Sequence, residues 1–192
     1  VEELARKVSA TDVPVLLTGE TGTGKEAFAQ AIHNASSRHG NPIMAINCSA
    51  FSSDLLESEL FGYRAGSFTG ASKDKKGLLE VANHGTLFLD EIGEMAYPLQ
   101  AKLLRVLESG EYIKIGDTSP SQVDVRIISA TNRDLKNEII AGNFREDLFY
   151  RLSVFQIRLP TLRERREDIP LLAKSFLARY SEKLGKHIDG MS

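Results

Sequence analysis

The residues best suited to chemistry stand together as Gly19-Glu20-Thr21-Gly22-Thr23-Gly24-Lys25. Glycines at this spacing let a backbone turn its N–H groups inward around an anion, and the lysine adds a point charge suited to the outer phosphates of a nucleotide. Such a loop needs a strand before it and a helix after it, because the helix N-terminus lends a favourable partial charge. Both flanks are expected: Val13 to Thr18 is a short apolar run closed by Gly19, and Lys25 to Ser36 has helical spacing. A Gly-rich turn that merely caps a helix is the alternative, and the two flanks weigh against it. The general phosphate-loop pattern continues with a Ser or Thr on the metal; here Glu26 follows Lys25. A Mg²⁺ ion would then be held mainly by other carboxylates, phosphate oxygens and water.

A second set completes the chemistry. Thr86-Leu87-Phe88-Leu89-Asp90-Glu91 reads as a buried strand with two carboxylates at its C-terminal end, where ligands bind in open parallel sheets. Asp90 is placed to hold Mg²⁺ directly or through water, and Glu91 to polarise an attacking water. Alone, such a pair is often an ordinary solvated strand end; after a phosphate loop the functional reading prevails. Thr131-Asn132 follows another apolar run, Val125 to Ala130, so Asn132 could reach a phosphate or the water, or simply cap the helix that starts at Asp134.

These residues need an α/β scaffold, and the chain supplies one. Strand and helix patterns alternate without repeats, which points to a mostly parallel sheet flanked by helices. Further strands are expected at Pro42 to Ile46 and Val154 to Leu159, with helices at Val1 to Ala10, Ser53 to Phe61, Gly77 to Asn83, Tyr97 to Glu108, Asp134 to Ala141 and Arg145 to Leu152. Pro98 sits in a first turn, where a missing N–H costs least. Leu99, Leu103, Leu104 and Leu107 form a core stripe. Glu111 to Ile115 and Gln122 to Val125 are a candidate hairpin, and Gly62 to Lys76 a Gly- and Lys-rich loop. From Arg166 the pattern is helical to about Gly185, so residues 1–165 are expected to form the nucleotide subdomain and 166–192 the start of a helical lid.

Composition excludes several classes. Lys and Arg number 24 against 26 Asp and Glu, which argues against a DNA-binding surface on this piece, since phosphate neutralisation needs clustered basic excess. No apolar run approaches the roughly 20 residues of a membrane span. The single Cys48 cannot form an internal disulfide and reads as a small buried residue; a reducing cytoplasm fits. His33, His39, His84 and His187 lack metal spacing. The chain opens without Met and stops just after a helical pattern, so it is expected to be a segment of something longer, with any sensor or DNA-reading module outside it.

Gly66-Ser67-Phe68-Thr69-Gly70-Ala71 resembles the GAFTGA loop of sigma-54-dependent transcription activators, AAA+ ATPases of the nitrogen-regulation type. Glu57-Ser58-Glu59-Leu60-Phe61-Gly62 is similar to that family's run into the loop, and Gly19 to Glu26 to its GExGTGKE phosphate loop, in which Glu after Lys is usual. Leu162-Arg163-Glu164-Arg165 and Glu167-Asp168-Ile169 resemble its passage into the lid. The similarity runs from about Val13 to Ile169. Ser67 departs from the usual Ala, and Tyr63-Arg64 from a common His and acidic residue, which touches loop energetics and partner preference rather than the ATPase.

The resemblance implies ATP and Mg²⁺ as ligands, with Lys25 on phosphate, Asp90 on the metal and Glu91 activating water. It implies Asn47 as a switch that restrains Glu91, Thr131 and Asn132 as the first sensor, and Arg145 and Arg151 as arginines that reach a neighbouring subunit. On residues alone, those arginines would be surface partners of Glu146 or Asp147, and Phe68 would more often fold back on the core than touch a partner; the resemblance implies that Phe68 and Thr69 touch the sigma factor. The hairpin resembles the family's second pore loop. Lys73, Lys75 and Lys76 are most simply a solvated rim, a DNA-facing role being the alternative. The expected activity is ATP hydrolysis in a ring, a hexamer by resemblance, that remodels the closed sigma-54 RNA polymerase holoenzyme complex, with DNA bound through a separate domain. The alternatives are an AAA+ remodeller of another client and a nucleotide-switched binding module without turnover.

Overall fold

The computed structural model describes residues 2–185. The chain divides into two compact units, one up to Leu159 and the second from Pro160 on, a few residues before the division at 165/166 that the sequence pattern suggests. Val1 of the first expected helix, His187, and residues 186–192 of the expected lid lie outside the described residues.

The first unit is built on a five-stranded parallel sheet. Its strands are β1 (Val15–Thr18), β2 (Ile43–Asn47), β5 (Thr86–Asp90), β8 (Arg126–Thr131) and β9 (Phe155–Arg158), in the order β2-β5-β8-β1-β9. The inner strands β1, β5 and β8 are apolar in runs because both faces of the sheet are covered there, while the edge strand β9 alternates, with Gln156 and Arg158 exposed. The period of two sorts them. Leu87 and Leu89 join Leu16 and Ile127 in one core cluster, while Phe88 joins Val15, Leu17, Ile128 and Ala130 in the other. Helices α3 (Ser53–Phe61), α4 (Leu78–Val81), α5 (Tyr97–Ser109), α6 (Leu135–Ile140) and α7 (Glu146–Leu152) supply the first cluster, and α1 (Glu2–Ser9) and α2 (Lys25–Asn34) the second. All six residues of β8 are buried, as befits the middle strand.

Helix α5 shows how sequence sets an element. Pro98 stands in its first turn, Leu99, Leu103 and Val106 face the core, and Gly110 ends it in the left-handed region at φ 69°. Leu104 and Leu107 of the expected stripe are partly buried against the same cluster. At the opposite sheet end, Arg126 is 1% exposed and donates to the Val8 carbonyl at 2.8 Å and the Ser9 carbonyl at 3.5 Å, the last carbonyls of α1. Burial pushes its guanidinium below the ordinary arginine value, and Asp12 partly offsets this.

Two short ribbons stand apart from the sheet. β3 (Gly62–Tyr63) pairs antiparallel with β4 (Lys75–Lys76), and β6 (Glu111–Tyr112) with β7 (Ser121–Gln122). The first lies inside the stretch expected to be all loop, and the second is shorter than the expected hairpin strands. The second unit carries two single 3-10 turns, Leu162–Glu164 and Arg166–Asp168, before α8 (Ile169–Leu184). Thr161 and Glu164 form a reciprocal cap on the first turn.

Candidate functional site

Sheet register gathers the sequence candidates at one edge. Asn47 at the end of β2 pairs with Asp90 at the end of β5, and Thr131 at the end of β8 pairs with Thr18 at the end of β1. Parallel strands must all finish on the same side, so four separate tracts arrive together at their C-terminal ends.

The phosphate-loop tract connects β1 to α2. Gly22 and Gly24 have φ of 84° and 93°, and Gly24 stands immediately before the first helical residue, Lys25. A side chain at either would meet nothing within 4 Å, so the backbone angle, not crowding, asks for glycine there. Thr23 is buried and donates from Oγ1 to the Glu20 carbonyl at 2.8 Å, which closes the loop on itself. Lys25 is only 7% exposed. Its Nζ donates to the Gly19 carbonyl at 3.0 Å and lies 3.6 Å from Glu91 Oε1.

Glu91 has φ 50° and ψ 49°, a left-handed conformation that a β-carbon disfavours. That turn swings its carboxylate back over the sheet edge. Glu91 Oε2 accepts the Asn132 N–H at 3.2 Å, and the Asn132 side-chain amide donates to Thr21 Oγ1 at 3.1 Å. Lys25, Glu91, Asn132 and Thr21 are thus one connected set. Asn132 does not cap the next helix; Asp134 does, accepting the Lys136 N–H at 3.0 Å. The buried Thr131 hydroxyl accepts the Arg133 N–H at 3.1 Å and so shapes this turn. Asp90 accepts the Glu91 N–H at 3.0 Å.

Asn47 neighbours Asp90 by register, yet its side-chain Oδ1 is used within its own turn, accepting from the Ser49 N–H at 2.9 Å and hydroxyl at 2.7 Å. Glu26 is exposed in the first turn of α2. Among the described residues no three His, Cys, Asp or Glu side chains cluster as a metal site. Two carboxylates without a third ligand fit a cation that takes most of its coordination from phosphate oxygens and water. Cys48 is buried behind this edge, and burial, with the charges of Asp90 and Glu91, pushes its thiol up to about 12. It is a packing residue.

Arg145 immediately precedes α7 and Arg151 lies in its last turn, and neither contacts these groups within the chain. Arg145 grips Asp147 through two nitrogens at 3.0 and 2.7 Å, and its guanidinium lies 5.5 Å from the Tyr97 ring centre. The neighbouring Asp147 raises the arginine above its ordinary value. Its backbone is fixed by buried Gln100, which accepts the Arg145 N–H at 2.8 Å and donates to the Asn143 carbonyl at 2.9 Å. Arg151 is 3.6 Å from Glu108 and largely exposed.

The loop from Gly66 to Ala71 turns on two left-handed glycines, Gly66 at φ 81° and Gly70 at φ 102°. The Gly66 N–H donates to the Ala71 carbonyl at 2.8 Å, and Ala71 is buried. Phe68 remains 48% exposed with its ring edge-on to Tyr63 at 4.9 Å, and Thr69 is exposed. Ser67 faces Gly116 of the β6–β7 turn. The rim lysines are partly committed: Lys75 pairs with Glu59 at 2.5 Å and Lys76 with Glu80 at 3.2 Å. The sequence names Thr21 in the phosphate loop and Tyr63-Arg64 as a departure from the resembled pattern, but not their partners Asn132, Phe68, Asp74 and Asp117, some of which lie far away in sequence.

Comparison with known proteins agrees with this geometry. A family described as the Sigma-54 interaction domain matches residues 1–158, and an AAA+ ATPase lid domain matches residues 163–192. The chain is 55% identical over 181 residues to the transcriptional regulatory protein GlrR of Escherichia coli K12, covering 94% of this chain and 41% of that protein. It is 52% identical over 189 residues to a Nif-specific regulatory protein of Rhizobium leguminosarum bv. trifolii, covering 98% and 54%. A crystal structure of NtrX from Brucella abortus in complex with ADP superposes with a TM-score of 0.89 at 40% identity, covering 96% of this chain and 40% of that one; a structure of the same protein with ATP gives the same figures. The chain spans about half or less of the length of these relatives. With a parallel sheet that brings a phosphate-loop lysine to a strand-end carboxylate, and a family match over nearly the whole first unit, the chain belongs to the sigma-54 interaction domain family, a P-loop NTPase module of the AAA+ class.

Proposed function

We propose that this chain is the motor of a transcription activator: it binds ATP with Mg²⁺, hydrolyses it at the seam between protomers of a ring, and uses movement of residues 66–71 to remodel the closed sigma-54 RNA polymerase complex. The observation that carries this reading is the connected set Lys25, Glu91, Asn132 and Thr21 at one sheet edge, in a molecule that also presents a half-exposed Phe68 on a glycine-hinged loop. The structures of NtrX in complex with ADP and with ATP support nucleotide as the ligand.

Gly19 to Glu26 would cradle the phosphates, with Lys25 exchanging its carbonyl and carboxylate contacts for phosphate oxygens. Asp90 would hold Mg²⁺, which when bound neutralises charge on the phosphate oxygens. Glu91 orients and polarises the attacking water, held by the Asn132 N–H, while the Asn132 amide and Thr131 sense the phosphate side. Asn47, beside Asp90 in register, is placed to restrain Glu91 when its turn rearranges. Arg145 and Arg151 would act on the neighbouring protomer's nucleotide, as in a hexameric ring. A guanidinium supplied there contributes roughly 10³ to 10⁵ in rate, or about 4 to 7 kcal/mol of barrier. In this reading DNA is bound by a separate domain of a longer regulator, as the greater length of the relatives allows, and the work is done in the cytoplasm.

The test uses the intact AAA+ domain in the full-length regulator. Asp90→Ala and Glu91→Ala should each lower phosphate release by about 10² or more; normal turnover would remove the site. Phe68→Ala and Thr69→Ala should keep hydrolysis yet lose sigma-54-dependent transcription; unimpaired transcription would sink the loop's role.

A further inference from the structure

At the root of the exposed loop, one guanidinium is shared by two carboxylates from different chain segments. Arg64 Nη1 donates to Asp74 Oδ2 at 2.7 Å, and Nε donates to Asp117 Oδ2 at 2.8 Å. Asp74 lies on the returning limb, just before β4, and its other oxygen accepts the Ala65 N–H at 2.8 Å. Asp117 lies in the β6–β7 turn, where Oδ1 accepts the Thr118 N–H at 2.9 Å and the Ser119 N–H at 3.2 Å. Both carboxylates are therefore oriented by backbone before the arginine meets them.

The main chain runs the same way. The Arg64 N–H donates to the Ile115 carbonyl at 3.0 Å, and the Ile115 N–H to the Gly62 carbonyl at 3.0 Å. Gly116 is so close to the loop that a β-carbon there would come within 2.5 Å of the Ser67 β-carbon. The nearby lysines are engaged elsewhere: Lys75 with Glu59, and Lys114 with Glu80 at 2.6 Å. Arg64 also sits where the resembled family commonly has an acidic residue, so the charge of this position is reversed here.

We infer that Arg64, Asp74 and Asp117 form an ionic clasp that joins the outgoing limb, the returning limb and the hairpin, sets the angle at which the Phe68 tip leaves the body, and makes loop and hairpin move as one piece. This rests on the proposed function, in which that tip is the partner contact. The tip is flanked by two left-handed glycines and held by short turn bonds and the Phe68–Tyr63 ring contact, so its direction depends on where the root beside Tyr63 is fixed. Arg64 is a positioning residue, outside the contact residues 66–71. A lysine would not replace it, because an ammonium lacks the planar fork that serves two carboxylates at once.

The test compares full-length protein with Arg64→Glu, Arg64→Lys and the double change Arg64→Glu with Asp117→Arg. Amide hydrogen exchange over residues 64–74 and 113–118, phosphate release, and binding to sigma-54 holoenzyme are measured on each. Arg64→Glu should speed exchange in both segments by about 10-fold, as loss of local closure does, and weaken holoenzyme binding by a similar factor, with phosphate release unchanged within about twofold. The double change should restore part of both, since an arginine at 117 again bridges the carboxylates at 64 and 74 but gives up the acceptor for the Thr118 and Ser119 N–H groups; Arg64→Lys should fall between. Unchanged exchange in Arg64→Glu, or a double change as loose as the single one, overturns the clasp. Undiminished holoenzyme binding by a loosened Arg64→Glu loop overturns its positioning role. If exchange obeys the clasp while the unsubstituted protein binds no holoenzyme, the proposed function falls and the clasp stands.

Discussion

His33 lies fully inside the α2 face of the sheet, its Nδ1 2.9 Å from the Thr86 hydroxyl. Burial pushes its imidazole below the ordinary value of 6.5, and the charges of Arg126 and His39 act in the same direction, against a backbone hydrogen bond at Asn41. The unfolded chain then takes up a proton before the folded one does. Stability from this group is complete above pH 6.5 and is lost as pH falls through the folded value. His33→Gln should flatten the fall in thermal midpoint between about pH 7 and 5, within the range where histidine titrates; an equally steep fall in the variant would show that another group governs it. Among the candidate site residues, the positions of Asp90, Glu91 and Asn132 were legible as the ends of apolar runs, and that of Lys25 as the close of a glycine-spaced loop between strand and helix. Arg64 was not. Its two carboxylates are 10 and 53 residues away and leave no periodic trace in the sequence.

The ribbon beneath the exposed loop depends on two glycines. Gly62 has φ 74°, and a β-carbon on it would lie 2.4 Å from the Lys75 carbonyl oxygen; one on Gly77 would lie 2.4 Å from the Leu60 carbonyl oxygen. Both obstacles are backbone, which cannot step aside. Gly62→Ala should therefore lower unfolding free energy in urea by more than ~1 kcal/mol, with faster exchange in the β3–β4 pair; a neutral result would mean the ribbon carries no load. The long elements could be read in advance. Thr86–Asp90 and Ser53–Phe61 keep the bounds their patterns suggest, since burial on both faces or on a helical stripe repeats often enough to be seen. The two ribbons could not be bounded, because pairs of only two residues have no period and exist through what they pack on.

For the assembled molecule, the position of Arg151 makes a distinct prediction. It is exposed, weakly paired with Glu108, and touches no phosphate-loop residue of its own chain. Arg151→Ala should lose phosphate release, and mixing it with Lys25→Ala protomers should restore part of it, because a sound loop on one protomer then meets a sound arginine on the next. Absence of recovery, with mixed rings verified by mass, would place the arginine's role within its own chain.

Arg126 has a consequence for how force enters this body. Its cation is walled in against the amide oxygens of a single helix end, and its Nε has no partner among the described residues. Shifting α1 would cost that cation its charge-assisted bonds to the helix carbonyls before water could replace them, which couples the helix to the middle strand. A tug arriving ahead of Val8 is then felt along β8, whose far tip shapes the turn that cradles the Glu91 carboxylate.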